Sequence, residues 1–201
     1  MNKRNFDREM TEIIEKNGTG DKKIKLLLHA CCAPCSTTCL DRVEKETDVT
    51  VFFYNPNMDT KEEYARREKE EEKLCFSLGV PLVKEEYDPQ EFYSAVKGLE
   101  NEKEGGKRCE KCFYLRLKKT AEYAKTHGFD YFTTTLTLSP LKDSELLNEI
   151  GERVAKEVDV NFLPSDFKKR DGYKKSIEMS RQYDLYRQDY CGCVFSKRER
   201  E

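Results

Sequence analysis

Histidine is almost missing from this chain: two in 201 residues, His29 and His127. A scheme that relies on an imidazole relay, Ser–His–Asp included, has little to draw on. His29 reads as a hydrogen-bonded core residue and His127, beside Gly128, as a cation closing a helix. Long apolar runs are also lacking. Nothing approaches the roughly 20 residues of a membrane-spanning helix, and the opening "MNKRNFDREMTEIIEKNG" has no apolar core of a secretory signal. The expectation is a cytoplasmic protein with no membrane partner. Two phosphate-binding patterns are absent, G-x-x-x-x-G-K-[ST] and G-x-G-x-x-G, which removes the usual sequence support for nucleotide-driven chemistry.

Charge is plentiful instead. Charged side chains make up 38% of the chain and hydrophobic ones 37%, with a formal net charge of -2. That balance describes a globular chain with a heavily charged surface, long enough to bury a core without disulfide staples. The Lys and Glu excess suits heat tolerance. The sign is unevenly spread: acidic residues outnumber basic ones from Asp59 to Glu104, and the reverse holds from Ser165 to Glu201. The C-terminal part is the one suited to face a polyanion.

Strand and helix patterns alternate. "KIKLLLHA" is a short aliphatic run with polar boundaries, a buried strand. "PCSTTCLDRVEKE" opens with Pro34, suited to a first helical turn, which makes Ala30 to Ala33 a strand-to-helix turn. "VTVFFYN" and "VPLVKEEY" are strands around a long helix stopped by Gly79. A helix from "EKCFYLRLKK" to Gly128, a strand "DYFTTTLTL", a helix "KDSELLNEIGERVAKEVD", a short strand "VNFLP" and a helix around "YKKSIEMSRQYDLYRQ" follow. The expected fold is α/β: a charged leader (residues 1–23), then one Rossmann-like domain (residues 24–201) with a mostly parallel sheet flanked by helices and a Cys-containing C-terminal tail. Ligands of such sheets bind beyond the carboxyl ends of the strands, where "HACCAPC", "YNPNM" and "TLSP" fall. Pro56 and Pro140 there read as plain loop breakers.

Cysteine is the conspicuous residue, nine in all. A reducing compartment keeps thiols free, so metal or redox chemistry explains them better than a disulfide framework. Cys109 and Cys112 have the two-residue gap that lets both sulfurs reach one metal, at a helix start whose positive end favours thiolates. Two more ligands are needed, and Cys31 and Cys32, adjacent in a turn, are the candidates. Four thiolates would hold either tetrahedral zinc or an iron–sulfur cluster, and spacing alone does not choose. Cys35 forms Cys-x-x-Cys with Cys32 and is placed to ligate or exchange, while Cys39 and Cys75 read as core. The single Gly between Cys191 and Cys193 lets both sulfurs meet one ion or close a tight, easily reduced disulfide.

Taken together, "LLLHACCAPCS", "FFYNPNM", "EEYARRE", "RCEKCFYLRL", "TTTLTLSPLKD" and "YDLYRQDYCGCVFS" resemble the epoxyqueuosine reductases of the QueH type, from about Ile24 to Ser196. The resemblance implies a cobalamin-independent oxidoreductase with a HUP-like domain. It implies reduction of the epoxide of epoxyqueuosine, at the wobble position of the tRNA anticodon, to queuosine. It also implies a [4Fe-4S] cluster on Cys31, Cys32, Cys109 and Cys112, and a catalytic Cys191 and Cys193 pair.

Removing an epoxide oxygen takes two electrons, whereas one cluster passes them singly. An additional iron near Cys35, Cys191 and Cys193, acting as a Lewis acid, or a redox dithiol at Cys191 and Cys193, would supply the second centre. Asp189 and Asp143 are candidate proton sources, and an electron donor outside the chain is required. For tRNA, Lys168, Lys169, Arg170, Lys174, Lys175, Arg181 and Arg187 are candidate phosphate contacts; Tyr173, Tyr183, Tyr186 and Tyr190 are candidates for stacking, and the last three, at helical spacing, equally fit a packing stripe. Two other functions fit parts of the pattern: a zinc- and thiol-dependent tRNA sulfur transferase, and a zinc-stabilised RNA-binding module that would leave Cys191 and Cys193 idle.

Overall fold

The structure is a computed structural model and describes residues 4–18 and 22–200. Strands β1 (Ile24–Ala30), β2 (Thr47–Phe53), β3 (Leu82–Lys84), β4 (Tyr131–Thr134) and β5 (Asn161–Phe162) lie parallel in one sheet, ordered β3-β2-β1-β4-β5. Side chains alternate between the two faces. In β1, Leu26, Leu28 and Ala30 join one core with α1 (Phe6–Asn17), α2 (Ala33–Val43) and α3 (Lys61–Leu78). Leu27 points the other way, into a second core with α5 (Lys107–Thr126) and α6 (Ser144–Val158). Helices therefore cover both faces, as buried parallel strands require.

The remaining helices are α4 (Pro89–Ala95), α7 (Gly172–Gln182) and α8 (Val194–Arg198). α7 lies on α2, where the Thr38 hydroxyl donates to the Gly172 carbonyl. Phe92 and Val96, from α4 and its end, meet Cys112 of α5 together with Cys193 and Phe195 at α8 in a third apolar cluster. The C-terminal tail is thus packed onto the body of the fold. α1 likewise contributes Met10 and Ile14 to the first core, and its Asp7 bridges Arg42 of α2 and Arg170. The rest of the leader expected over 1–23, residues 1–3 and 19–21, lies outside the described residues.

Two departures from the sequence expectation lie at the carboxyl end of the sheet and in the C-terminal part. The strand read over "DYFTTTLTL" ends at Thr134, whose hydroxyl accepts from the Leu136 N–H and starts a 3-10 turn at Thr135–Leu138. α7 stops at Gln182: Asp184 takes a left-handed φ of 49° and the Leu185 N–H returns to the Ser180 carbonyl. Tyr183, Tyr186 and Tyr190 therefore do not form one helical stripe.

Candidate active site

The order β3-β2-β1-β4-β5 reverses direction between β1 and β4, and the crevice beyond their carboxyl ends is the natural ligand site. Cys31 follows β1 directly, with its N–H donating to the Thr135 hydroxyl at 3.1 Å. Cys32 is the N-cap of α2, and Pro34 stands in that helix's first turn. Irregular backbone at the strand end aims the neighbouring sulfurs together. Those of Cys31, Cys32 and Cys35 lie within 4.8 Å of one another, with Cys31–Cys32 at 3.7 Å and Cys32–Cys35 at 3.2 Å. They line a cavity of about 240 Å3 together with Leu136, Pro140, Lys142 and Cys191. Pro140, read from sequence as a loop breaker, is a wall residue.

Electrostatics concentrates negative charge on one sulfur. Thiol hydrogen bonds from Cys32 and Cys35 pull the Cys31 pKa well down, and Lys142 and Arg116 pull the same way. Cys35 moves up for the complementary reason. Burial opposes the Lys142 charge, yet the nearby Cys191, Cys31 and Cys35 raise its pKa. Arg116 is held in place by Asn55, whose amide donates to the Ala30 carbonyl, and its Nε lies 3.3 Å from His29 Nε2. Burial and that guanidinium push His29 down to about 3, so it is a neutral core residue between Thr134 and Tyr54.

Cys109 and Cys112 lie outside the three-sulfur group. Cys109 lines a smaller adjoining hollow of about 120 Å3, which shares Glu104, Leu141, Lys142 and Cys191 with the larger one. Its sulfur accepts from the Gly105 N–H at 3.2 Å. The expected thiolate stabilisation at this helix start does not prevail: burial raises Cys109 and pushes Cys112 up to about 12. Cys112 instead shares an apolar cluster with Cys193, the N-cap of α8. Between the tail cysteines Gly192 adopts φ of 117°, a conformation open to glycine. Cys191 faces both hollows, and its N–H donates to the Ser196 hydroxyl, which donates on to Glu104. Cys39 and Cys75 are buried in the first core, as expected.

The chain's own side chains assemble a donor set for a metal centre. Three converging sulfurs and the cations Lys142 and Arg116 supply ligands and charge balance. Arg67 supplies more: it is 2% exposed, and its Nη2 is buried with no partner among the described residues. A buried guanidinium nitrogen without an acceptor calls for one the side chains do not provide. The residues fit a thiolate-held centre such as an iron–sulfur cluster. Arg67, Arg116, Lys142 and Glu104 carry no mark in the sequence that separates them from solvated charges, because their placement depends on what other elements bring to them.

Other candidates separate clearly. Asp143 caps α6, accepting from the N–H groups of Glu145 and Leu146, whereas Asp189 is exposed on the larger cavity's wall. Arg170 is paired with Asp7, and Arg187 donates to Ser176 and Ser180 beside the cavity. Lys168 donates to the Lys142 carbonyl. Lys169, Lys174, Lys175 and Arg181 are exposed. Tyr183 packs on the first core, the Tyr190 hydroxyl donates to Asp59, and Tyr186 lies under Arg66. Tyr173, 42% exposed, and Leu141, 60% exposed, both line the larger cavity.

Comparison with known proteins gives three kinds of match. A family model described as "Epoxyqueuosine reductase QueH" matches residues 26–199. Proteins of that name are similar along most of their length. The one from Staphylococcus epidermidis is 43% identical over 200 residues, covering 96% of this chain and 84% of the relative. The one from Thermotoga maritima is 36% identical over 178 residues, covering 87% and 91%. Among solved structures, the U34-tRNA thiolase NcsA from Methanococcus maripaludis, described with its [4Fe-4S] cluster, superposes with a TM-score of 0.54. It is 14% identical, with 95% of this chain and 68% of that chain covered, which is a likeness of fold.

Proposed function

The chain belongs to the QueH family of epoxyqueuosine reductases, and we propose that its cysteine-lined cavity deoxygenates the epoxide of epoxyqueuosine in tRNA, leaving the alkene of queuosine. The reaction balances as epoxide plus two electrons and two protons giving alkene and water. The observation that carries the reading is the convergence of the Cys31, Cys32 and Cys35 sulfurs on a cavity that Cys191 also lines. Cys31 and Cys32 are proposed to hold a [4Fe-4S] cluster together with Cys109 and Cys112, which face the adjoining hollow or the cluster of α4, α5 and α8. When bound, such a cluster supplies single electrons at a potential set by its surroundings. Cys35 and Cys191 face the cavity as the sulfurs left for an additional iron, and Cys191 with Cys193 offers the alternative of a dithiol that passes electrons onward.

The chain's own residues do the rest. Lys142 and Arg116 keep the cavity positive around the sulfurs, which favours arriving electron density. Tyr173 and Leu141, exposed and lining the cavity, offer apolar contact for an unpaired nucleoside. Exposed Lys169, Lys174, Lys175 and Arg181 are proposed to meet tRNA phosphates. Electrons come from a donor outside this chain.

Anaerobic purification tests the reading. An iron–sulfur protein is brown, contains iron with acid-labile sulfide and bleaches with dithionite; its reduced form should convert epoxyqueuosine in tRNA to the nucleoside lacking one oxygen. A colourless zinc protein that leaves the epoxide intact would contradict it.

A further inference from the structure

Arg67 stands in "EEYARREKEEEKL", a stretch so charged that a solvated helix face is the simple reading. The structure buries it instead. Nε donates to Glu63 at 2.6 Å, Nη1 to the Cys191 carbonyl at 3.2 Å, and the guanidinium lies 5.1 Å from the Tyr190 ring centre. Nη2 has no partner among the described residues. A side chain at position 192 would bring its Cβ to 3.1 Å from Nη1, so the glycine of Cys-Gly-Cys leaves room for this contact. Arg67 lines the same cavity as Cys31, Cys32 and Cys191. One fixed cation thus stands between the turn after β1 and the C-terminal cysteine pair.

Resting on the iron–sulfur reading above, we propose that Arg67 is the positioning residue that sets the reduction potential of the cluster. One-electron reduction adds a negative charge to the cluster. A permanent positive charge in a low-dielectric site, with an N–H free to bond sulfur, stabilises that reduced state and raises its potential. Arginine suits the role because its charge does not titrate. Glu63 is part of the same device: as the countercharge on Nε, it moderates how much of the guanidinium's field the sulfurs feel. Arg67 also ties the Cys191 carbonyl to α3, so the tail cysteines and the cluster are registered by the residue that tunes the cluster.

The test is a potentiometric titration of the anaerobic, cluster-loaded protein with dithionite, followed by visible absorbance and electron paramagnetic resonance, on parent, Arg67→Met and Glu63→Gln. Iron, sulfide and thermal melting are measured on each. Arg67→Met should titrate at a more negative potential than the parent, and Glu63→Gln at a more positive one. Opposite shifts from two members of one ion pair are not what a merely structural role gives. Should Arg67→Met fail to retain iron, the positive shift of Glu63→Gln decides, and a parent-like potential in that variant overturns the proposal. Equal midpoints in parent and loaded Arg67→Met overturn it as well. A parent protein without iron would instead remove the cluster reading on which the proposal stands.

Discussion

At the scale of single residues, the sulfurs have distinct environments, and their variants should divide accordingly. Cys193 caps α8 and shares its cluster with Cys112, away from the three-sulfur group. Cys193→Ala is expected to keep most of its iron and lose turnover by about 100-fold or more, the scale of a group acting in the transition state. Cys109→Ala is expected to lose the cluster. Iron and sulfide analysis beside an assay on epoxyqueuosine-bearing tRNA checks both, and parent-rate turnover by Cys193→Ala would remove its catalytic role. Cysteines were legible in the sequence because spacing and turn position constrain what a thiol can do. Arg67, Arg116 and Lys142 were not, because a charged residue's burial depends on what other elements bring to it. Arg116 is buried by Asn55 and His29, neither of which is a helical neighbour.

Among the elements, the strands and long helices followed from periodicity, and the departures have local causes. Thr134 ends β4 with a side-chain bond that no hydropathy pattern encodes. α4 and α8, at 7 and 5 residues, are too short to show a helical period, yet they supply Phe92 and Phe195 around Cys112 and Cys193. Packing of α7 on α2 depends on Gly172, where a Cβ would stand 1.8 Å from the Phe167 carbonyl oxygen. Backbone cannot yield as a flexible side chain does. Gly172→Ala should therefore destabilise the fold by roughly 1–3 kcal/mol or more, the cost of overpacking, seen as a lower urea midpoint. An unchanged midpoint would mean that the loop before α7 rearranges freely.

Across the whole molecule, charge and burial make two further predictions. Glu71, on α3, is fully buried, and burial pushes its pKa from 4.5 up to about 8. The folded chain holds a proton there that the unfolded chain releases above pH 4.5. This stabilising contribution is complete below 4.5 and is lost as pH rises through 8. Glu71→Gln should accordingly flatten the fall in stability between those limits, as read from urea midpoints at several pH values. Basic residues gather toward the C-terminal part, and Lys174 and Lys175 are exposed on α7. Replacing both with Ala should weaken tRNA binding several-fold and reduce its salt dependence without changing the visible spectrum. Equal affinity and salt slope would place the RNA elsewhere. The matched family region begins at residue 26, while α1, which precedes it, fills the first core with Met10 and Ile14.

The most direct measurement joins colour to chemistry in one sample: protein reduced anaerobically, freed of reductant, and mixed with tRNA carrying epoxyqueuosine. Return of the visible absorbance in step with queuosine formation, in proportion to bound iron, is the expected result. Queuosine made equally well by iron-free protein, or reoxidation with the epoxide untouched, would contradict a cysteine-held redox centre acting on that substrate.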